Sequence, residues 1–400
     1  MTSSTITESE TVQRLEKLRW LMVENAVDAA FIYHDELRMS NGCYLTNYWP
    51  TIEAGAVLAP LSGEPVLLGG PEAAPYALEV SAIKTYRNVD CFIVPEEEYP
   101  GARIEPLGDV IREVGGGKGL KRLGVVGLDI TPYGIVRALQ EALPGVQLVD
   151  ITREYTVMRA VKSEDEIALM ARAFDIGAEG IRACIPNIRP GVVEYEVLGP
   201  AEGRMRSMGA DGFNFRSLAG SGYRSDGVVP PASDKTLESG ELVLIGFSPK
   251  VRGYAAGTAM TFAVDNPPSQ EHQHFLTDLA DALEYTRDAI RPGMKGKDAD
   301  AAPRQYLAGK GYGDYLCMGF VHTVGLNEYE LPFFGPNSED VMEENLTFCI
   351  DISLFGHPLY HGARHEAGYV LRAHGAEPLS EDLEQLILSL RDPNGEWSKR

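Results

Sequence analysis

The stretch at residues 241–262, ELVLIGFSPKVRGYAAGTAMTF, limits what this chain can fold into more than any other. Leu242–Phe247 is an unbroken apolar run, the pattern of a strand buried on both faces. Residues 248–253 read as a turn, with Pro249 and Gly253 as breakers. Residues 254–264 read as a second strand that alternates around small residues. Small residues along a strand mark a place where something comes close to the backbone. The pair therefore calls for a sheet interior with a site laid against it.

The rest of the chain supplies the frame. At 400 residues it exceeds one ordinary core, so two domains are expected, 1–155 and 156–400. In the first, helical periods at 8–25, 107–114 and 132–142 alternate with strand-like runs at 29–33, 44–46, 55–59, 65–68, 91–94, 123–128 and 146–149. In the second, Ser163 and Glu166 form a capping box ahead of a long helix. Helices at 194–208, 271–290 and 298–309 follow, with strands between 213 and 262 and again at 346–353 and 368–371. The mixture predicts an α/β (α+β) fold in two domains.

Composition removes several functions. Thirty-six Lys and Arg stand against 58 Asp and Glu, a formal charge of −22. Nucleic acid is bound largely through cationic side chains, and an anionic membrane surface would repel this chain too. The five cysteines are scattered without a CxxC, as reduced thiols of a cytoplasmic protein would be. No apolar leader follows the polar start, and no run approaches the roughly 20 apolar residues of a membrane span. A cytoplasmic protein acting on a small molecule is expected.

Chemistry-bearing residues gather late. His322 follows an apolar strand, Asp351 lies inside TFCIDISLF, and Arg364-His365-Glu366 precedes the apolar GYVL. A carboxylate inside an apolar strand is costly unless it is paired or used. A histidine with two carboxylates on facing strands suits acid/base work or a metal; an ordinary Arg364–Asp351 ion pair is the structural alternative. Gly220-Ser221-Gly222 lacks the G-x-S-x-G pattern and reads as a turn. His272 and His274 read as a solvated helix start, His361 as a loop residue able to reach a pocket, and Phe333-Phe334 as core or interface.

Four segments, MRAVKSEDEIALMARA, SGELVLIGFSPKVRGYAAGTAMTF, HTVGLNEYELP and GARHEAGYVL, occur in the order of the pita-bread fold of aminopeptidase P, prolidase, methionine aminopeptidase and creatinase. The chain resembles that family over nearly its whole length, with a creatinase/prolidase-like N-terminal domain before a pita-bread domain. The family's metallopeptidases hold two ions with two aspartates, a histidine and two glutamates. Carried over by position, the aspartates fall at Gly246 and Gly257, the histidine at His322, and the glutamates at Asp351 and Glu366. A further peptidase histidine falls at Val229, another at Tyr329, and the glutamate that creatinase uses falls at Thr258.

Glycine offers no side-chain ligand, so the resemblance implies no metal and no other cofactor. It implies instead a creatinase-like, metal-independent enzyme on a small polar amidino, amide or amino-acid-like substrate, working as a homodimer and most readily by C–N hydrolysis. Catalytic roles fall to His322, Asp351 and Glu366; Arg224, Thr258, Tyr329, Glu330, His361 and Arg364 are candidates for holding substrate. A metal-free lyase or cyclase, and a catalytically inactive binding module, are the alternatives.

Overall fold

Apolar runs and the breakers between them set the order of elements. In the computed structural model, which describes residues 6–93 and 99–398, they build two compact units dividing between Arg159 and Ala160. The first centres on β1 (Ala29–His34), all six of whose residues are buried. It pairs antiparallel with β2 (Gly55–Pro60), which leads on to β3 (Val66–Gly69) and β4 (Tyr86–Asn88). On its other side it pairs parallel with β5 (Arg122–Val126), and that with β6 (Gln147–Asp150). Helices Leu107–Val114 and Tyr133–Ala142 bring Val110, Ile111 and Leu139 onto Phe31, Leu58 and Leu123.

Two expectations for this unit fail. Residues 44–46 are not a strand but the end of a helix, Ser40–Thr46, all seven of whose residues are buried; it stops at Asn47, whose φ of 60° breaks the helix. A short buried apolar run carries no period that separates strand from helix. Residues 91–94 form no strand either: Asp90–Phe92 is a single 3₁₀ turn, and residue 94 lies outside the described residues.

In the second unit the capping box at Ser163 forms as read and starts the helix Glu164–Cys184. Its strands are β7 (Gly212–Phe213), β8 (Leu218–Ser221), β9 (Leu242–Phe247), β10 (Pro249–Val251), β11 (Tyr254–Ala255), β12 (Thr258–Ala263), β13 (Val321–Thr323), β14 (Glu330–Phe334), β15 (Thr347–His357), β16 (His361–Arg372) and β17 (Gly375–Pro378). A large sheet runs β14-β13-β15-β16-β12-β9-β8, with β17 added to β16. The stretch read as a turn at 248–253 contains β10, the middle of a small sheet β11-β10-β7. Pro249 is tolerated there because its carbonyl serves the ladder, accepting from Ala256, and needs no N–H of its own. The second strand of the opening stretch is likewise cut in two, and Gly257 sits at the cut.

Register then places the chemistry. Gly246 pairs with Ala259, Ala259 with Glu366, and Glu366 with Asp351, one row across four strands. His322 pairs with Cys349, two residues before Asp351 and so on the same face of β15. Among the described residues no helix is long and apolar enough to cross a membrane.

Candidate active site

The inner end of that row is a buried cluster of charge. His322 Nε2 lies 3.4 Å from Glu366 Oε1 and 3.5 Å from Glu328 Oε1. Its Nδ1 faces the Thr323 carbonyl at 3.3 Å, which fixes the ring and leaves Nε2 for the site. Arg364 Nε lies 3.0 Å from Asp351 Oδ1. These contacts carry charge without aligned hydrogen bonds, for Asp351 Oδ1, Arg364 Nε and Glu366 Oε1 all lack a hydrogen-bond partner although they are buried. Buried polar atoms are normally satisfied, so three orphans in one cluster mark groups arranged for something else.

Each group is displaced by its neighbours. Burial works against a charged His322, but Glu366, Glu328 and Asp351 outweigh it and hold the imidazole up to about 9. Burial and the charge of Glu366 push Glu328 up to about 8. Burial pushes Asp351 up to about 6 against the pull of Arg364. Burial would raise Glu366 as well, yet the contact with His322 and then the charge of Arg364 hold it below the ordinary carboxylate value. At neutral pH the cluster therefore holds two cations, His322 and Arg364, two anions, Asp351 and Glu366, and a neutral, proton-bearing Glu328. It balances its own charge.

The donor set does not fit a pair of metal ions. Neither Gly246 nor Gly257 offers a ligand, and the space differs at the two. A Cβ added to Gly246 meets Leu218 Cδ1 at 3.3 Å and Ala259 at 3.6 Å. One added to Gly257 falls 2.3 Å from Glu366 Oε1 and 2.9 Å from Cys349 Sγ, so Glu366 fills the room a side chain at 257 would need. Among the described residues one trio, His322, Cys349 and Glu366, has ligand atoms within 4.8 Å of one another. Its thiol is held well above the ordinary cysteine value by burial and by Glu366 and Glu328, which disfavours the thiolate that would bind metal.

A cavity of about 320 Å³ opens onto the cluster, lined by Phe215, Arg216, Leu218, Val229, Pro231, Glu328, Arg364 and Glu366. Val229 reaches its wall through strained backbone. Val228 has φ 63° and ψ −52°, and the Val229 N–H donates to the Gly227 carbonyl at 2.7 Å, a γ-turn centred on a β-branched residue. Such a conformation costs of order 1–3 kcal/mol and collects at functional sites.

Of the residues singled out in sequence, His322, Asp351, Glu366 and Arg364 come together. Tyr329 stands at the edge, its ring 4.8 Å from His322 and stacked 4.0 Å from Phe333. The others are engaged elsewhere. Arg224 pairs with the buried Glu194 at 3.0 Å. Thr258 Oγ1 donates to the Phe247 carbonyl and packs towards Gly177 of the long helix. Glu330 is buried and accepts from the Asn327 N–H. His361 begins β16 and faces Asp226 at 2.9 Å.

Two further readings change. His272 is buried against the Tyr360 ring, not solvated. Ser221 ends β8 and donates to Glu194, so the Gly-Ser-Gly segment is strand before it is turn. Sequence reasoning passed over Glu328, Cys349 and Arg216. The period-2 rule from Asp351 reaches Cys349; nothing periodic separates Glu328 from its neighbours in NEYE.

Comparison with known proteins agrees with this architecture. The model of the family described as Metallopeptidase family M24 matches residues 168–373, and that of the Creatinase/Prolidase N-terminal domain matches 14–161. The uncharacterized peptidase YqhT of Bacillus subtilis is 29% identical over 380 residues, 94% of this chain and 99% of that protein. A Xaa-Pro dipeptidase of Pyrococcus horikoshii is 26% identical over 377 residues, 94% and 99% of the two chains. The crystal structure of the prolidase from Pyrococcus horikoshii OT3 shares the fold with a TM-score of 0.79 at 24% identity, covering 92% of this chain and 97% of that one.

Proposed function

The chain belongs to metallopeptidase family M24, with a creatinase/prolidase N-terminal domain ahead of the peptidase-type domain, and from that premise we propose that it is a hydrolase of a C–N bond in a small polar molecule that works without the paired metal ions of its relatives. The observation that carries this reading is the replacement of ligands by a self-neutralising cluster. Gly246 and Gly257 supply no donor, while Arg364 stands 3.0 Å from Asp351 where a cation is needed.

The groups divide into acid and base by their opposite displacements, which is how paired titratable residues take separate roles. Glu366 stays ionised, and its unpartnered Oε1 can hold a water and take its proton as the oxygen attacks the amide or amidine carbon. Glu328 keeps its proton, and His322 is charged; either can protonate the leaving nitrogen as the C–N bond breaks. Arg364 and His322 together offset the negative charge that builds on the tetrahedral carbon's heteroatom. Asp351 holds Arg364 in place.

The test is a panel of small amides and amidines incubated in oxygen-18 water with a chelator present. Hydrolysis puts label into the product, and His322→Gln and Glu366→Gln abolish it. Cleavage without label points to elimination, and activity that disappears with the chelator returns the site to metal chemistry.

A further inference from the structure

Lys250 is a buried cation with no place in the charged cluster. It lies in β10, inside the stretch 241–262, and is 3% exposed. The cavity lining does not include it. Burying an ammonium is costly unless its charge is used. Burial pushes the neighbouring Asp211 up, and the Lys250 ammonium is among the groups that pull it back. The Lys250 Nζ itself donates to the Leu326 carbonyl at 2.7 Å. Beside it the Ala255 N–H of β11 donates to the Gly325 carbonyl at 2.8 Å. Two paired strands of the small sheet thus grip two successive carbonyls of the bend between β13 and β14.

That bend carries Glu328. It leaves β13 at Thr323 and enters β14 at Glu330. Within it the Gly325 N–H donates to the Asn327 carbonyl at 2.8 Å, and the Asn327 N–H to Glu330 Oε1 at 3.1 Å. Thr323 Oγ1 donates to the Glu330 carbonyl at 2.6 Å. Gly325 has no room for a side chain, since a Cβ there would fall 2.5 Å from Glu330 Oε2 and 3.0 Å from Lys162 Cε. The bend is therefore fixed at Thr323, Gly325, Leu326 and Asn327, and Glu328 is the next residue in the chain. Its Oε1 emerges 3.5 Å from His322 Nε2, on the cavity. The contact from Lys250 is charge-assisted, about twice as strong as a neutral one, and it joins the bend just ahead of Glu328.

We infer that Lys250 is a positioning residue for Glu328: through the Leu326 carbonyl its buried ammonium sets the bend so that the Glu328 carboxyl meets His322 and the cavity. Lys250 touches no reacting atom. It acts through the backbone, and its charge is used to hold another group in place. The task of Glu328 as proton donor to the leaving nitrogen rests on the hydrolase reading, but the placement stands separately.

The test compares Lys250→Met, which loses the charge and the donor, with Lys250→Arg, which keeps both. Lys250→Met should lower kcat roughly tenfold to 10²-fold, the cost of a small misplacement of a catalytic group. KM should stay within about twofold, because Lys250 does not line the cavity. Lys250→Arg should recover most of the loss. In a Glu328→Gln background Lys250→Met should change kcat by less than about twofold, since no acid is left to position. A lysine that only stabilises the fold lowers kcat by the same factor in both backgrounds, and that result overturns the inference. Crystals of Lys250→Met read the placement without turnover: Glu328 should leave His322, and an unmoved Glu328 overturns the inference as well. Should Lys250→Met not fold, Lys250→Gln, uncharged and shorter, gives the same readings. A displaced Glu328 in a chain that hydrolyses none of the amides or amidines sinks the hydrolase reading and leaves Lys250 in its role. Wild-type hydrolysis that Lys250→Met leaves intact does the reverse.

Discussion

Two buried glutamates in the same unit have opposite surroundings. Glu194 is fully buried and fully satisfied: it accepts from the N–H and hydroxyl of Ser221, from the N–H and hydroxyl of Ser233, and from Arg224 Nε at 3.0 Å. Glu366 is as deeply placed, yet its Oε1 has no hydrogen-bond partner and its neighbours are two other acids, a charged histidine and an arginine. Both are buried carboxylates beside an arginine, Glu194 at the start of the helix Glu194–Ser207 and Glu366 within β16. The first is closed and holds three chain segments together. The second keeps an open valence towards a cavity. Satisfaction of the buried group, more than its charge or depth, separates a structural ion pair from a site.

Substitution can break that comparison. Replacing Glu366 with Gln should cut turnover by about 10²–10⁴-fold, as for loss of a positioned base, while urea denaturation registers little loss of stability. Glu194→Ala should do the opposite. It strands Arg224 and two serines, and a broken buried pair costs about 3–5 kcal/mol, read as a lower urea midpoint with an unchanged slope. Equal stability losses in the two variants would remove the distinction.

The two glycines sharpen it. Gly257→Ala drives its methyl into Glu366 Oε1 and should cost about 1–3 kcal/mol, as overpacking does. Gly246→Ala brings its methyl to 3.3 Å from Leu218 Cδ1, the end of a flexible side chain that must give slightly, and should cost less than the Gly257 variant, about 1 kcal/mol or below. A third variant addresses the strained wall: Val228→Gly relieves the left-handed φ and should raise stability by about 1 kcal/mol, with poorer turnover if the γ-turn positions Val229.

The smallest effect is a slope. His322 is held up to about 9 from 6.5, so its contribution is complete below pH 6.5 and is lost as pH rises through 9. Glu328, held up to about 8 from 4.5, keeps in the folded state a proton the unfolded chain has released, so stability again falls as pH rises from 4.5 to 8. The two act in the same direction between pH 6.5 and 8. Glu328→Gln removes one titration and weakens the other, and should flatten the fall in melting temperature across that window. An unchanged slope would show that Glu328 ionises like an exposed carboxylate.

Much of this was legible in the chain. The run LVLIGF, the capping box at Ser163 and the segment order identify the fold, because period and caps are local signals. The pairing of Asp351 with Glu366 was within reach as well, since facing strands need only alternation. Other features depend on long-range register. Arg224 reads like a substrate anchor until Glu194, some thirty residues away, is found beneath it. Thr258 alternates with Gly257, and only the helix packed on the sheet decides that it faces away from the cavity. Glu330 begins β14 and Glu328 lies in the bend just before it, so alternation does not relate them: Glu328 meets His322, while Glu330 lies 3.9 Å from Lys162. Arg216 carries no motif at all, and only the fold places it on the cavity wall.

The central claim is that this member of the family has exchanged its metal pair for a cluster that neutralises itself. The most direct measurement is the metal content of the chain purified from metal-supplemented cells, beside that of a Gly246→Asp/Gly257→Asp double variant. The account predicts no tightly held pair of ions in the wild type and a gain of metal in the double variant. A pair of ions per chain in the wild type, lost together with turnover on chelation, would contradict it.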